Sequence, residues 1–193
     1  MKNKFIIILL VLILKLNFYS LVASDEFIFE VTDIEILENG NLYKGNNRGK
    51  IKTNKQIEIT SDNFEYFKEA NLLKSYGNAQ LTDVVNNITI NAQKIFYLKN
   101  EEKIYTIGKT LINVSNKYTV SGNDLTLLKN EMILLSNRAT TIKDNYSNNY
   151  KLDKFQYYID QEILKGEKIQ VDSNNKDKYF FEYGVLDLKE NKF

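Results

Sequence analysis

Four copies of one short pattern constrain this 193-residue chain more than any other feature. Asp62-Asn63-Phe64-Glu65-Tyr66 aligns with Gln93-Lys94-Ile95-Phe96-Tyr97, with Asn123-Asp124-Leu125-Thr126-Leu127 and with Asp153-Lys154-Phe155-Gln156-Tyr157. Each copy opens on a polar residue and carries large apolar residues two and four positions on. A polar turn, an apolar strand and a Gly or Asn follow, at Gly77, Gly108, Asn137 and Gly166. These markers stand 31, 29 and 29 residues apart. A unit of that length cannot bury one face alone, so neighbouring units must stack and share a core.

The units read as β-structure. Ile57-Glu58-Ile59, Ile88-Thr89-Ile90, Tyr118-Thr119-Val120 and Ile169-Gln170-Val171 alternate apolar with polar, the period of a half-buried strand. Asn and Gly punctuate them at Asn39-Gly40-Asn41, Asn46 to Gly49, Asn86-Asn87, Asn148-Asn149 and Asn174-Asn175. These residues tolerate the left-handed backbone of tight turns. No stretch carries a sustained helical stripe, so the expected class is all-β, with two or more short antiparallel strands per repeat. One interior should be lined by Ile57, Ile59, Phe64, Tyr66, Leu81, Ile88, Ile90, Ile95, Tyr97, Val120, Leu125, Leu127, Phe155 and Tyr157, joined by Ile104, Leu152 and Val171. Periodicity leaves two readings of that interior: a dry, closed sandwich core, or a groove open to an apolar ligand.

The first 24 residues differ from the rest. Lys2 and Lys4 precede ten consecutive apolar residues, Phe5 to Leu14, and Leu21-Val22-Ala23-Ser24 ends in small residues. This is the layout of a secretory signal peptide cleaved after Ala23 or Ser24. An uncleaved anchor is the alternative, but spanning a bilayer takes about 20 apolar residues, and Lys15 and Asn17 interrupt this run. Residues 25–193 then form one β domain. Losing the leader's three lysines leaves 23 basic against 25 acidic side chains, with no block of like charge. A nucleic-acid partner needs a clustered basic face, so none is expected.

Cys and His are both absent. That removes disulfides, thiolate metal sites, the Cys nucleophile and the commonest general base. Asp62 and Glu65 could pair as glycosidase carboxylates, but the repeat places them on a turn and a solvent face. The expectation is a non-enzymatic protein with no catalytic residue, no metal and no cofactor.

Further residues carry a family resemblance. Gly77-Asn78-Ala79-Gln80-Leu81 is followed by Ile88 to Tyr97, a charged turn at Lys99 to Lys103, Ile104 and Gly108. Gly49 to Tyr66 follows the same pattern, as do the opening strands Phe29 to Gly40. This resembles the OstA-like repeat of the lipopolysaccharide transport proteins LptA and LptD, over nearly all of Asp25 to Phe193. The resemblance implies a V-shaped β-jellyroll in the periplasm, attached to the outer membrane. Its apolar groove would hold the acyl chains of lipopolysaccharide, and its end strands would join an LptA-like bridge protein by β-augmentation. It also implies an LptE-like plug lipoprotein if a barrel follows, as in LptD. The C-terminal cadence from Tyr183 to Phe193 matches Ile95 to Ile104, so Phe193 should open a return strand and further sequence is expected downstream. LptD of enterobacteria has an N-terminal Cys pair that is missing here.

Other readings stand beside it: a complete LptA-like or LptC-like bridge component, or a secreted β-repeat adhesion module. The expected docking edge is the strand around Phe27, Phe29 and Val31, whose inward alternation passes to Ile34 and Ile36 and so requires a break near Thr32-Asp33.

Overall fold

The computed structural model describes residues 27–190. The proposed signal peptide and the return strand at Phe193 lie outside those residues. Seventeen strands pair antiparallel throughout, and the only helical pieces among the described residues are two 3-10 turns, Glu38–Gly40 and Lys99–Glu101. The all-β class is therefore correct.

The strands are β1 Ile28–Glu30, β2 Asp33–Leu37, β3 Leu42–Asn46, β4 Gly49–Lys52, β5 Ile57–Ser61 and β6 Asn63–Phe67. Next come β7 Leu72–Asp83, β8 Ile88–Leu98, β9 Lys103–Val114, β10 Tyr118–Asn123, β11 Thr126–Leu128 and β12 Ile133–Ser136. The chain continues through β13 Thr140–Asp144, β14 Asn149–Leu152, β15 Lys154–Tyr158, β16 Ile163–Asp172 and β17 Lys178–Asp187.

Pairing sorts them into two layers. The first runs β2-β3-β6, then the first half of β7, the second half of β8 and the first half of β9, and on through β11-β12-β15 to β16 and β17. The second runs β1-β4-β5, the other halves of β7, β8 and β9, and β10-β13-β14 to β16 and β17. The expectation of short strands alone needs correcting here. Strands β7, β8, β9, β16 and β17, of 10–12 residues, pass through both layers and join them at the apex of a V.

Bulges let them bend. Register shifts between Tyr76 and Ala79 in β7 and between Ala92 and Lys94 in β8. In β8 the inward positions accordingly change from Ile88 and Ile90 to Ile95 and Tyr97, as one extra residue requires. Gly77 (φ +76°) and Gly108 (φ +81°) supply left-handed backbone at this corner, where Lys168 (φ +49°) does the same in β16. Gly166 is an ordinary strand residue opposite Gly184, so its repeat marker lies two residues before the actual bend.

Across the mouth from the apex, the turns at 38–41, 68–71, 99–102, 129–132 and 159–162 form the rim of the first layer. Turns at 53–56, 84–87, 115–117, 145–148 and 173–177 form the rim of the second.

Candidate functional site

The interior is one continuous apolar body. All fourteen residues expected to line it, together with Ile104, Leu152 and Val171, belong to a single buried cluster; Tyr66 is the most exposed at 9%. Both layers contribute: Ile57, Ile59, Leu81, Ile88, Ile90 and Val120 from the second, Phe64, Tyr66, Ile95, Tyr97, Leu125, Leu127, Phe155 and Tyr157 from the first. The side chains of the two layers fill the space between them, so the V is shut. A cavity of about 530 Å³ lies on the outer face around Lys165, Tyr183 and Val185 and meets the buried cluster at Phe155.

The composition of the interior changes with depth. Next to the layer-switching points sit buried Ser61, Ser75, Thr106, Thr110, Ser136 and Thr140. Sheets converge there, and only short side chains fit. Thr110 Oγ1 lies 2.8 Å from Thr106 Oγ1, and the Thr106 hydroxyl lies within hydrogen-bond reach of the Leu125 carbonyl (3.2 Å) and accepts from the Leu125 N–H (3.0 Å). The Thr106 and Thr110 hydroxyls thus bond within the protein, whereas the buried Ser75 Oγ has no hydrogen-bond partner among the described residues. Sequence reading missed this seam because lone Ser and Thr residues in strands carry no periodic signal.

Composition also changes along the stack. The N-terminal end is aromatic: Phe27 packs edge-on against Tyr66 (5.0 Å) and Tyr97 (5.7 Å), and Phe29 lies over Phe64 (5.3 Å) and Tyr66 (5.6 Å). Farther on, Tyr118 meets Tyr157 edge-on at 5.5 Å. Burial pushes the Tyr157 phenol well above its ordinary range, aided by the nearby Glu162. Tyr118 is raised by burial and by its hydrogen bond to Glu162 (2.7 Å). For Glu162, desolvation pulls upward, but the hydrogen bonds from Lys117 and Tyr118 outweigh it and hold the carboxyl below its usual value.

The opening strand breaks as its alternation required. The chain breaks at Val31-Thr32; β1 pairs with β4 alone in the second layer and β2 with β3 alone in the first, among the described residues. Phe27 is buried and precedes the strand, Phe29 and Val31 are half-buried against the core, and Ile34 and Ile36 share the face of Phe64 and Tyr66 in register but stay exposed at this end of the stack. The Thr53 N–H donates to the Ile57 carbonyl, so the odd residues of β4 bond to β5 and Lys50 and Lys52 turn to β1. In register, Ile28 and Glu30 face β4, and Phe29 turns its N–H and carbonyl outward. Among the described residues β17 likewise pairs on one side only, with Phe180, Tyr183 and Val185 exposed.

No group of His, Cys, Asp and Glu able to hold a metal ion occurs among the described residues, and no helix there is long and apolar enough to cross a membrane. Asp62, the glycosidase candidate, is a corner residue: its carboxylate accepts from Asn78 Nδ2 at 2.7 Å and its N–H bonds to the Gly77 carbonyl. Glu65 pairs with Lys44 on the outer face.

No family model and no curated protein matches the chain. Among solved structures, LptH of Pseudomonas aeruginosa matches with a TM-score of 0.54 at 11% identity, covering 60% of this chain and 85% of that one. The fold is LptA-like. LptH is described as the LptA-homologous periplasmic component of the conserved lipopolysaccharide transport device. The TCP10 domain of Danio rerio CPAP, bound to a peptide of STIL, covers 82% of this chain at 10% identity, but its TM-score of 0.17 carries no argument.

Proposed function

We propose that this chain is a non-enzymatic carrier of lipopolysaccharide, working in the periplasm and passing the lipid along a protein bridge toward the outer membrane. The observation that carries this reading is the LptA-like fold built around one apolar interior that runs the length of the stack, with end strands that, among the described residues, pair on one side only. Lipid acyl chains gain about 0.8 kcal/mol per buried methylene, and an interior lined by Ile, Leu, Tyr and Phe offers that burial while sugars stay in water. No bond is made or broken, so the role needs no catalytic group.

Docking to an LptA-like partner would use the outward backbone groups of Phe29 and its neighbours in β-augmentation. Within the family, the opening strands Phe29 to Gly40 favour the N-terminal domain of LptD, which would bring an LptE-like lipoprotein; the downstream reading frame tests that attribution directly. The carrier function is tested by calorimetric titration with intact, O-antigen-free and de-acylated lipopolysaccharide. Binding should survive loss of the O-antigen and disappear with the acyl chains. Binding that persists after de-acylation would point to the sugar-binding adhesion module instead.

A further inference from the structure

Among the described residues three ion pairs span the mouth of the V, each joining a residue of the second layer's rim to one of the first layer's. Lys55 reaches Glu102 at 2.9 Å, Asp83 meets Lys129 at 3.1 Å and Lys117 meets Glu162 at 2.5 Å. The members are 47, 46 and 45 residues apart, so each rim turn contacts the turn one and a half repeats ahead. The order is Lys–Glu, Asp–Lys, Lys–Glu from the second layer to the first, and neighbouring rungs therefore alternate in sign. A slip of one repeat between the rims would bring like charges together. In every rung the carboxylate is the more buried partner: the side chains of Glu102, Asp83 and Glu162 are 6%, 0% and 18% exposed. Tyrosine hydroxyls brace the two outer rungs, Tyr97 on Glu102 (2.8 Å) and Tyr118 on Glu162 (2.7 Å).

Behind this ladder the interior is apolar and full, and opposite it the bulged strands bend at Gly77, Gly108 and Lys168. We propose that the ladder is a latch: the mouth is a lateral slit held shut by the three ion pairs, and it opens about the bulged apex when they separate. This rests on the carrier reading for its purpose but not for its physics. A buried carboxylate that loses its cation must regain solvent or protonate, and parting of the rims supplies the solvent. Lysines freed from the rungs would face the phosphate-bearing headgroup of an incoming glycolipid, which can take the carboxylates' place.

The test uses nitroxide labels at Val85→Cys and Asn130→Cys, one exposed residue on each rim. The chain has no other cysteine, so labelling is confined to the pair. Pulsed dipolar spectroscopy without lipid should give a single short separation for the otherwise wild-type chain. Lys55→Met with Lys117→Met, both lysines about half exposed, should add a second population at longer separation. Lys50→Met, which removes a pair with Glu58 inside one layer, should not. A Lys55→Met/Lys117→Met distribution that coincides with the wild-type one would overturn the latch. A widened mouth together with no acyl-dependent lipopolysaccharide binding would leave the latch standing and sink the carrier reading.

Discussion

Lys129→Met isolates the central rung of the mouth. Asp83 is fully buried; its Oδ2 lies 3.1 Å from Lys129 Nζ, and it accepts from the backbone N–H (3.1 Å) and side-chain amide (2.8 Å) of Asn86. The Lys129 side chain is itself only 12% exposed, so both charges have left water. Removing one member of such a pair strands the other and costs about 3–5 kcal/mol, whereas replacing both by uncharged groups is close to neutral. Asp83→Asn keeps an acceptor for one of the two Asn86 donors and strands the other at about 1–3 kcal/mol, so the double variant Asp83→Asn/Lys129→Met should lie closer to wild type than Lys129→Met alone. For a domain of this size each kcal/mol moves the midpoint by about 2–4 °C, so Lys129→Met alone should lower Tm by roughly 6–20 °C. Urea titrations followed by circular dichroism on all four corners of the cycle give the coupling energy. Additive single variants, with the double variant as unstable as their sum, would refute a buried, coupled pair.

Three further outcomes are expected. Gly77→Ala should destabilise by about 1–2 kcal/mol and by more than Gly40→Ala: both have positive φ, but a Cβ at Gly77 would meet Asp62 at 2.8–2.9 Å, while at Gly40 it meets nothing within 4 Å. Equal midpoints in urea for the two variants would contradict this. Stability should fall on the alkaline side. Burial, with help from Glu65, pushes Tyr76 up to about 12, and burial raises Tyr118, Tyr150 and Tyr157 further still. The folded state keeps those protons where the unfolded chain releases them, so the stability they support is complete below about pH 10 and is lost as pH rises through the folded values. A phenolate absorbance titration should then show a late, cooperative phase; a single phase at the ordinary tyrosine value would speak against it. Phe29→Pro removes an N–H that faces away from β4, and should abolish partner binding with the strands from Gly49 onward still folded. Retention of the partner at wild-type level in a pull-down would place the docking edge elsewhere.

How far the sequence could be read follows from the range of the forces involved. Alternation is local, so Ile88, Ile90, Ile95, Tyr97, Phe155 and Tyr157 announced their inward direction, and the switch from Phe29 to Ile34 announced the break in the first strand. Leu73, Ile112, Tyr150 and Leu164 are equally buried, yet they sit among lysines and asparagines that hid their period. The rim was illegible for a different reason. Asp83, Glu102, Lys129 and Glu162 lie in or beside polar turns, where charge normally means solvent, and only the stagger of the two layers brings each to a partner some 46 residues away. The closed state of the interior was equally out of reach, because alternation gives the direction of a side chain and not the distance to the opposite layer.

The carrier reading turns on whether acyl chains enter between the layers, and site-specific photo-crosslinking measures that most directly. Photoreactive residues at Ile59, Ile90, Ile95 and Leu125 point inward, whereas those at Glu58, Thr89 and Lys94 point to the outer faces. Incubated with purified lipopolysaccharide and irradiated, the inward set should form lipid adducts and the outward set should not. Equal capture from both sets, or capture from the outward set alone, would contradict a lipid path through the interior.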